Sequence, residues 1–553
     1  MKRWCVFLAL LLLAVAMPLT AQNSPPASAA ASATQPSHAA AASANAAQSP
    51  IGTINIAEYE KHVSVKTLPN GLTVVLWRRP EAPVFSFFTM VDAGSAQDPL
   101  HETGLAHMME HMAFKGTPDI GTTDYAAEKV ALEKVEQTYA AYETERIRQM
   151  HAVPDSAKDS GEQDKARLAE LKKAWDDARD AADKYVIKNQ FAKTVEEHGG
   201  TGLNAFTDYD ETAYLYSLPA NQIELWAALE SDRMTHPVMR EFYKERSVVM
   251  EERRLRTDSN PTGRLLEQFL GTAFMANPYH RPTIGYRSDL ESFSATDAEE
   301  FFHRYYVPSN MVIGLVGDLD ADQVFPVIER YFGQIPSRPK PLELTTTEPA
   351  QNSVREVTLR DPSQPFYLEG YHRPSYRAPD DVVYDAISDI LSNGRTSRLY
   401  RSLVRDKQIA AAAAGISSFP GSKYAHIFTF YAVPLPGHSN GEMQKAFAEE
   451  IQKLKTQDVT DDELRMFKTR TEADLIRGLA SNEGLAEELA IYQTRYGDWR
   501  ELFRYLDRVD KVTKADIRRV ANEVFQDTNR TIGVIQTQAP GQSSAVPGKG
   551  GEQ

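Results

Sequence analysis

Two histidines four residues apart, His107 and His111, flank Met108, Met109 and Glu110 in the pattern His-x-x-Glu-His. On a helix that spacing stacks both imidazoles on one face, where two neutral rings can hold one divalent cation such as Zn2+. Glu110 falls on the same side, beside the metal position rather than in it. A carboxylate there can take a proton from a water whose pKa the metal lowers. A catalytic zinc site takes three protein ligands and keeps a fourth position open, so a further ligand is required. The run Glu245-Arg246-Ser247-Val248-Val249-Met250-Glu251-Glu252 can supply it. Glu245 and Glu252 are two helical turns apart and share a face, whereas Glu251 is rotated by about 100° from Glu252 and cannot easily face the same ion. Asp210 and Glu211 are rival candidates, on a loop that would fix a ligand less rigidly than a helix does.

The elements that must position these residues can be read from periodicity and turn signals. Strands are predicted at 63–67 and 72–77 around Asn70-Gly71, which is a hairpin signal. A third strand, 84–91, ends at Asp92-Ala93-Gly94-Ser95, and Gly104 precedes the histidine helix. The stretch 123–197 is rich in Ala, Glu, Lys, Asp and Arg and holds two long helical patterns, 125–152 and 164–196, separated by turn residues. It predicts an inserted helical hairpin that partly projects from its domain as a solvated spacer, with a partner-docking or substrate-gating arm as the alternative. Strands come next at 203–207 and 212–218, then helices at 222–234, 240–256 and 295–305 and a buried strand at 311–317. The Pro- and Thr-rich stretch 336–352 reads as a linker. Beyond it a similar order returns: strands near 354–359 and 365–371, a helix from 379, and a closing helix (514–525) and strand (531–535) that match the pair at 295–317. The expected fold is α+β, with two structurally repeated α/β-sandwich-type domains, 51–335 and 353–537, each a mixed sheet with helices on one side.

A length of 553 residues is more than one core usually holds, in keeping with two domains. The 42% hydrophobic and 25% charged residues are ordinary for a globular protein, and the net charge of −15 argues against nucleic acid as a partner. Lys2 and Arg3 precede an apolar run at 4–17 and a plausible cleavage point after Ala21, so 1–21 reads as a signal peptide and the mature chain as exported and periplasmic, with full secretion as the alternative. That run is shorter than the ~20 residues a spanning helix needs, and no other stretch is apolar enough, so no stable membrane span is expected after cleavage. Residues 22–50 read as a flexible tether, and the Gly-, Ser- and Pro-rich tail 538–553 as disordered. The sole cysteine, Cys5, lies in the signal segment, which leaves His, Asp and Glu as metal ligands in the mature chain.

Taken together, His107–His111, the adjoining Ala113-Phe114-Lys115-Gly116-Thr117, the strand Leu203-Asn204-Ala205-Phe206-Thr207 and the run Glu245–Glu252 resemble the pitrilysin-type, M16 zinc metallopeptidases. The likeness continues through Ile284-Gly285-Tyr286 and Tyr305-Tyr306-Val307-Pro308-Ser309-Asn310 to Gly317-Asp318. The resemblance implies one Zn2+ per chain, held by His107, His111 and Glu252, with Glu110 as general base of a peptidase acting on extended peptides. It implies that Glu245 supports the site, for which the physical task is to orient a ligand histidine. Asn204, Ala205 and Phe206 match an edge strand to which peptide substrates add. The family's second domain often supplies an Arg and, seven residues later, a Tyr that grip substrate. Arg405 matches the Arg, but Ala412 stands where the Tyr would be and has no hydroxyl to donate. A dimer is therefore expected, either with an Arg/Tyr-bearing subunit or with a second copy. The insertion at 123–197 departs from the family pattern. A non-catalytic peptide-binding or assembly subunit is the alternative function.

Overall fold

The computed structural model describes residues 56–151 and 160–538. The expected signal peptide, the tether, the tail beyond Gln538 and the break between the two hairpin helices lie outside the described residues.

The first sheet begins with β1 (Val63–Thr67) and β2 (Thr73–Arg78), an antiparallel pair in which Val63 faces Trp77. It is completed by β3 (Val84–Val91), β4 (Thr201–Thr207), β5 (Thr212–Pro219) and β6 (Met311–Gly317), in the order β1-β2-β6-β3-β5-β4. The second sheet contains β7 (Arg355–Asp361), β8 (Phe366–Arg373), β9 (Ala410–Phe419), β10 (His426–Pro434) and β11 (Arg530–Thr537), in the order β7-β11-β8-β10-β9. Strand β6 runs parallel to β2 and antiparallel to β3, and β11 stands in the same relation to β7 and β8. Matching β2 to β7, β3 to β8, β4 to β9, β5 to β10 and β6 to β11 superimposes both order and direction. The repeat read from the helix-then-strand endings is thus a repeat of sheet topology, with β1 added to the first copy.

Seven helices position the site and join the two halves: α1 (Leu105–Met112), α2 (Tyr125–Met150), α3 (Ser160–Ala182), α4 (Gln190–Glu197), α5 (Phe242–Arg253), α6 (Pro261–Ala273) and α7 (Asn482–Tyr496). Side chains alternate across a strand. One face of the first sheet, with Val74, Leu76, Phe87, Ile313 and Leu315, joins Leu105, Met108, Met109, Trp226 and Phe242 in a single apolar core. The alternate residues of β6 point the other way, towards α7 from the second half of the chain. Gly314 is needed there, because a Cβ would lie 2.1 Å from the carbonyl oxygen of Ala486. Reciprocally, Phe269 of α6 lies against Gly370 and Gly533 of the second sheet. Each half thus covers one face of the other's sheet. The expectation of helices on one side describes the local layer and lacks this exchanged helix, which strand periodicity cannot reveal.

The insertion is a two-helix hairpin, with Arg148 on α2 paired to Asp164 on α3 at 2.5 Å. The second helix does not continue to 196. It ends at Ala182, passes through a turn at Asp183–Tyr185 and resumes as α4. The break has a tertiary cause: Val186 bridges Thr122, and Ile187 N–H donates to the Gly121 carbonyl at 2.9 Å, so these β-branched residues leave the helix to pair with an extended segment.

Nor is the hairpin a free spacer along its whole length. Trp175 of α3 is 6% exposed. Its ring centroid lies 5.1 Å from Tyr139, 5.3 Å from Tyr142 and 5.1 Å from Tyr243. On α5, Arg246 donates to the Tyr139 hydroxyl at 2.8 Å, and Tyr243 donates to Glu136 at 2.6 Å. The hairpin therefore braces the helix that carries Glu245 and Glu252. Trp175→Ala is expected to cost about 3–5 kcal/mol of stability, measured by denaturant unfolding, with Trp175→Phe losing much less. An unchanged midpoint for the alanine variant would mean that the hairpin does not bear on the core.

Candidate metal centre

Helix α1 starts at Gly104, whose φ of 97° suits glycine and brings the chain within 2.8 Å, from a notional Cβ, of the Ile284 carbonyl oxygen. Buried Asp98 then accepts from the Gly104 and Ala106 amides at 2.7 and 2.9 Å, satisfying donors that the first helical turn leaves unpaired. Burial pushes the Asp98 carboxyl up to about 7, against the pull of these amides and of Arg281. With Leu105, Met108, Met109 and Met112 in the core, His107 and His111 face α5.

Across that interface, His107 Nε2 lies 3.7 Å from Glu252 Oε1, and His111 Nε2 lies 3.5 Å from Glu252 Oε2. One ligand atom from each of the three residues falls within 4.8 Å of the others. Glu245 is one step removed: its Oε1 is 3.0 Å from His111 Nδ1, and its Oε2 accepts from Lys115 Nζ at 2.5 Å. Glu251 turns outward to Arg254 at 2.6 Å, as helix rotation requires. Asp210 and Glu211 are drawn elsewhere. Asp210 accepts from the Ser422 and Lys423 amides at 2.7 and 2.9 Å and from the Tyr279 hydroxyl, and Glu211 pairs with Arg495 at 3.3 Å. They tie the two halves of the chain together.

The donor set fits zinc: two imidazole nitrogens and one carboxylate oxygen converge, and Glu245 holds the remaining nitrogen of one imidazole. His107 Nδ1 is buried and has no such partner among the described residues. Burial pushes His107 down to about 4, which keeps it in the neutral, ligating form. Burial also disfavours charge on His111, but hydrogen bonds with Glu245 and Glu252 and the nearby Glu110 charge outweigh it and raise His111 to about 9. Glu245 is held down at about 2, burial being outweighed by its hydrogen bonds with His111 and Lys115. A proton on His111 thus balances the carboxylates, and a bound cation must displace it. Arg256 adds a second counter-charge, with its Nη1 2.6 Å from Glu252 Oε1.

Glu110 stands beside this cluster. Burial raises its pKa, partly offset by a hydrogen bond with Thr207 of β4. It borders a cleft of about 390 Å3 together with His111, Phe114, Asn204 and Ala205. Strand β4 is the edge of its sheet: Asn204, Ala205 and Phe206 pair with Leu215, Tyr214 and Ala213 of β5 on one side only. The structure therefore gathers His107, His111, Glu252, Glu245, Glu110 and the β4 edge in one place. Arg405 is not among them. It sits in the helical turn Tyr400–Asp406 of the second half, exposed, with its Nε bound to Asp406 at 2.6 Å. That turn leads into β9, the counterpart of β4, so it belongs to the other copy of the repeat. Ala412, on β9, faces Val433.

Three features of the site escaped sequence reasoning: the Lys115 anchor, the Thr207 contact and a cleft wall at 186–190. Lys115 and Thr207 stand inside the stretches already singled out, but nothing local marks their partners. The wall was hidden in an apparently continuous helical pattern.

Comparison with known proteins adds to this picture. The family model described as Insulinase (Peptidase family M16) matches residues 73–148 and 181–287, and that described as Peptidase M16 inactive domain matches residues 292–471. The unmatched stretch between the first two segments contains most of α3. Similar proteins include Zinc protease PqqE of Helicobacter pylori, 28% identical over 480 residues, covering 85% of this chain and 92% of that protein. Mitochondrial-processing peptidase subunit beta of Saccharomyces cerevisiae is 22% identical over 502 residues, covering 87% of this chain and 91% of that one. Among solved structures, a protease from Helicobacter pylori matches with a TM-score of 0.68 and 26% identity, covering 86% of this chain and 99% of that chain.

Proposed function

The chain belongs to peptidase family M16, and from that membership we propose that it is a zinc-dependent endopeptidase cleaving extended peptides or unfolded segments. The observation that carries this reading is the convergence of His107, His111 and Glu252 beside Glu110, in a cleft bordered by an unpaired strand edge. His107, His111 and Glu252 would hold one Zn2+ per chain. When bound, zinc supplies a Lewis acid that polarises a carbonyl and acidifies water.

The protein's own groups do the rest. Glu110 takes a proton from the attacking water and returns it to the leaving amine, and the burial that raises its pKa brings it closer to the proton affinity this exchange needs. Glu245, anchored by Lys115, fixes the orientation of His111. The free edge of β4 at Asn204–Phe206 offers main-chain hydrogen bonds to an extended peptide, which needs no particular side chains for them.

The place of Arg405 and the missing hydroxyl at Ala412 favour a dimer whose partner supplies the Arg/Tyr pair, with a homodimer as the alternative. They also favour, as a second reading, a peptide-binding subunit that does not cut. Export to the periplasm rests on the residues from Lys2 to Ala21. Among the described residues no helix is long and apolar enough to cross a membrane.

Metal analysis and a quenched-peptide library assay on the purified mature chain test the proposal. The expected result is one zinc per chain and cleavage that a chelator abolishes and added zinc restores. Stoichiometric zinc without cleavage, alone or with an Arg/Tyr-bearing M16 partner, would leave the non-cutting reading.

A further inference from the structure

The return of the inserted hairpin to its domain forms part of the same cleft as the candidate metal centre. Val186, Ile187, Lys188, Asn189 and Gln190 line it together with Glu110, His111 and the Leu203–Ala205 segment of β4. The segment is pinned at both ends. Thr123 N–H donates to the Tyr185 carbonyl at 2.8 Å and Ile187 N–H to the Gly121 carbonyl at 2.9 Å, while Gln190 accepts from Gly121 N–H at 2.5 Å. Asn189 takes a left-handed φ of 57° and starts α4, whose Phe191 and Val195 are buried in the core. Such a segment presents its side chains in a fixed position, as a specificity wall must.

What it presents is distinctive. Ile187 is 37% exposed, and Lys188 is exposed. The other basic residues lining the cleft, Lys115 and His111, are already paired. Glu241 pairs with Lys244 at 2.6 Å, Glu245 pairs with Lys115 and His111, and Glu110 lies against Thr207 and His111. Among the described residues Lys188 has no ion-pair partner, so it is the uncompensated positive charge of the lining. Phe114, Ile187 and Leu203 provide apolar surface beside it.

We propose that residues 186–190 are a specificity wall of the peptidase cleft, and that Lys188 selects a peptide residue with an aliphatic stem and a terminal carboxylate close to the bond cut. Glutamate fits better than aspartate, because its longer stem can lie on the apolar surface while its carboxylate reaches the ammonium. This inference rests on the peptidase reading above and names the substrate chemistry at that site.

The test uses the zinc-loaded full chain and a quenched-peptide series that places Glu, Gln or Lys in turn at each position flanking the cleaved bond. An exposed ion pair supports a preference of about two- to five-fold in kcat/KM, so wild type should favour Glu over Lys by that order at one position, less so at high salt. Lys188→Glu should reverse the preference, Lys188→Gln should erase it, and Lys188→Arg should keep it, all with zinc content unchanged. A wild type that cleaves but prefers Lys at these positions, or a Lys188→Glu variant with unaltered preference, overturns the wall and leaves the peptidase reading standing. A zinc-loaded wild type that cleaves none of the peptides, either alone or with an Arg/Tyr-bearing M16 partner, overturns both.

Discussion

Glu252→Ala should strip most of the zinc from the chain, while Glu251→Ala, one residue away, should leave it bound. The two glutamates are neighbours in sequence and have the same chemistry, so the difference is purely geometric. Glu252 places its two oxygens 3.7 and 3.5 Å from the imidazoles of His107 and His111, whereas Glu251 is spent on Arg254 at the surface. Removing a ligand should weaken zinc by more than the 10- to 100-fold that loss of an outer-shell partner typically costs. Glu245→Gln supplies that comparison within the same helix. It can no longer offer a charged oxygen to His111 Nδ1 and Lys115, and its loss of zinc affinity should fall in the 10- to 100-fold range. Competition with a chromophoric chelator measures all three variants. Zinc lost from Glu251→Ala but kept by Glu252→Ala would sink the ligand assignment.

Glu110→Gln is expected to keep its zinc and lose about 10²–10⁴-fold in kcat/KM, the range that a positioned general acid–base group contributes. Glutamine has nearly the same shape and can still hydrogen-bond Thr207, so the fold of the cleft should survive. It has no carboxylate to accept a proton. Zinc content separates this role from that of a ligand: a Glu110→Gln chain that also lost its metal would place Glu110 in the coordination shell. A variant that cleaved at the wild-type rate would remove Glu110 from the proton transfer altogether. The pair of experiments divides the site cleanly, since Glu252→Ala acts on metal binding and Glu110→Gln on the proton transfer.

The proposed cleft also gives the insertion a role that a solvated spacer would not have. Its aromatic base, with Trp175 between Tyr139, Tyr142 and Tyr243, supports α5 from behind. Its returning segment, 186–190, lines the cleft. The insertion, whose middle (149–180) lies outside the family match, is thereby in contact with both the helix that carries Glu245 and Glu252 and the cleft.

By itself the sequence determined whatever depends on neighbours a few residues apart. The i and i+4 spacing puts His107 and His111 on one face, seven residues put Glu245 and Glu252 on one face, and a single step turns Glu251 away from both. All three are consequences of helix geometry alone. Continuous apolar runs and turn residues likewise marked Val84–Val91 and Met311–Gly317, and the matching ends of the two halves pointed to the repeated sheet. Tertiary structure decided what local periodicity does not encode. It carried Asp210 and Glu211 away to the second half, paired Val186 with Thr122 and so broke a helix that reads as continuous, and laid α6 and α7 across each other's sheets. It also brought Lys115 to Glu245 and Thr207 to Glu110, and left Arg405 on the other copy of the repeat. The physical reason is the same throughout. A residue's place on its helix or strand is set by backbone geometry over a turn or two. Its partner across a cleft is set by how faces far apart in the sequence pack once the chain has folded.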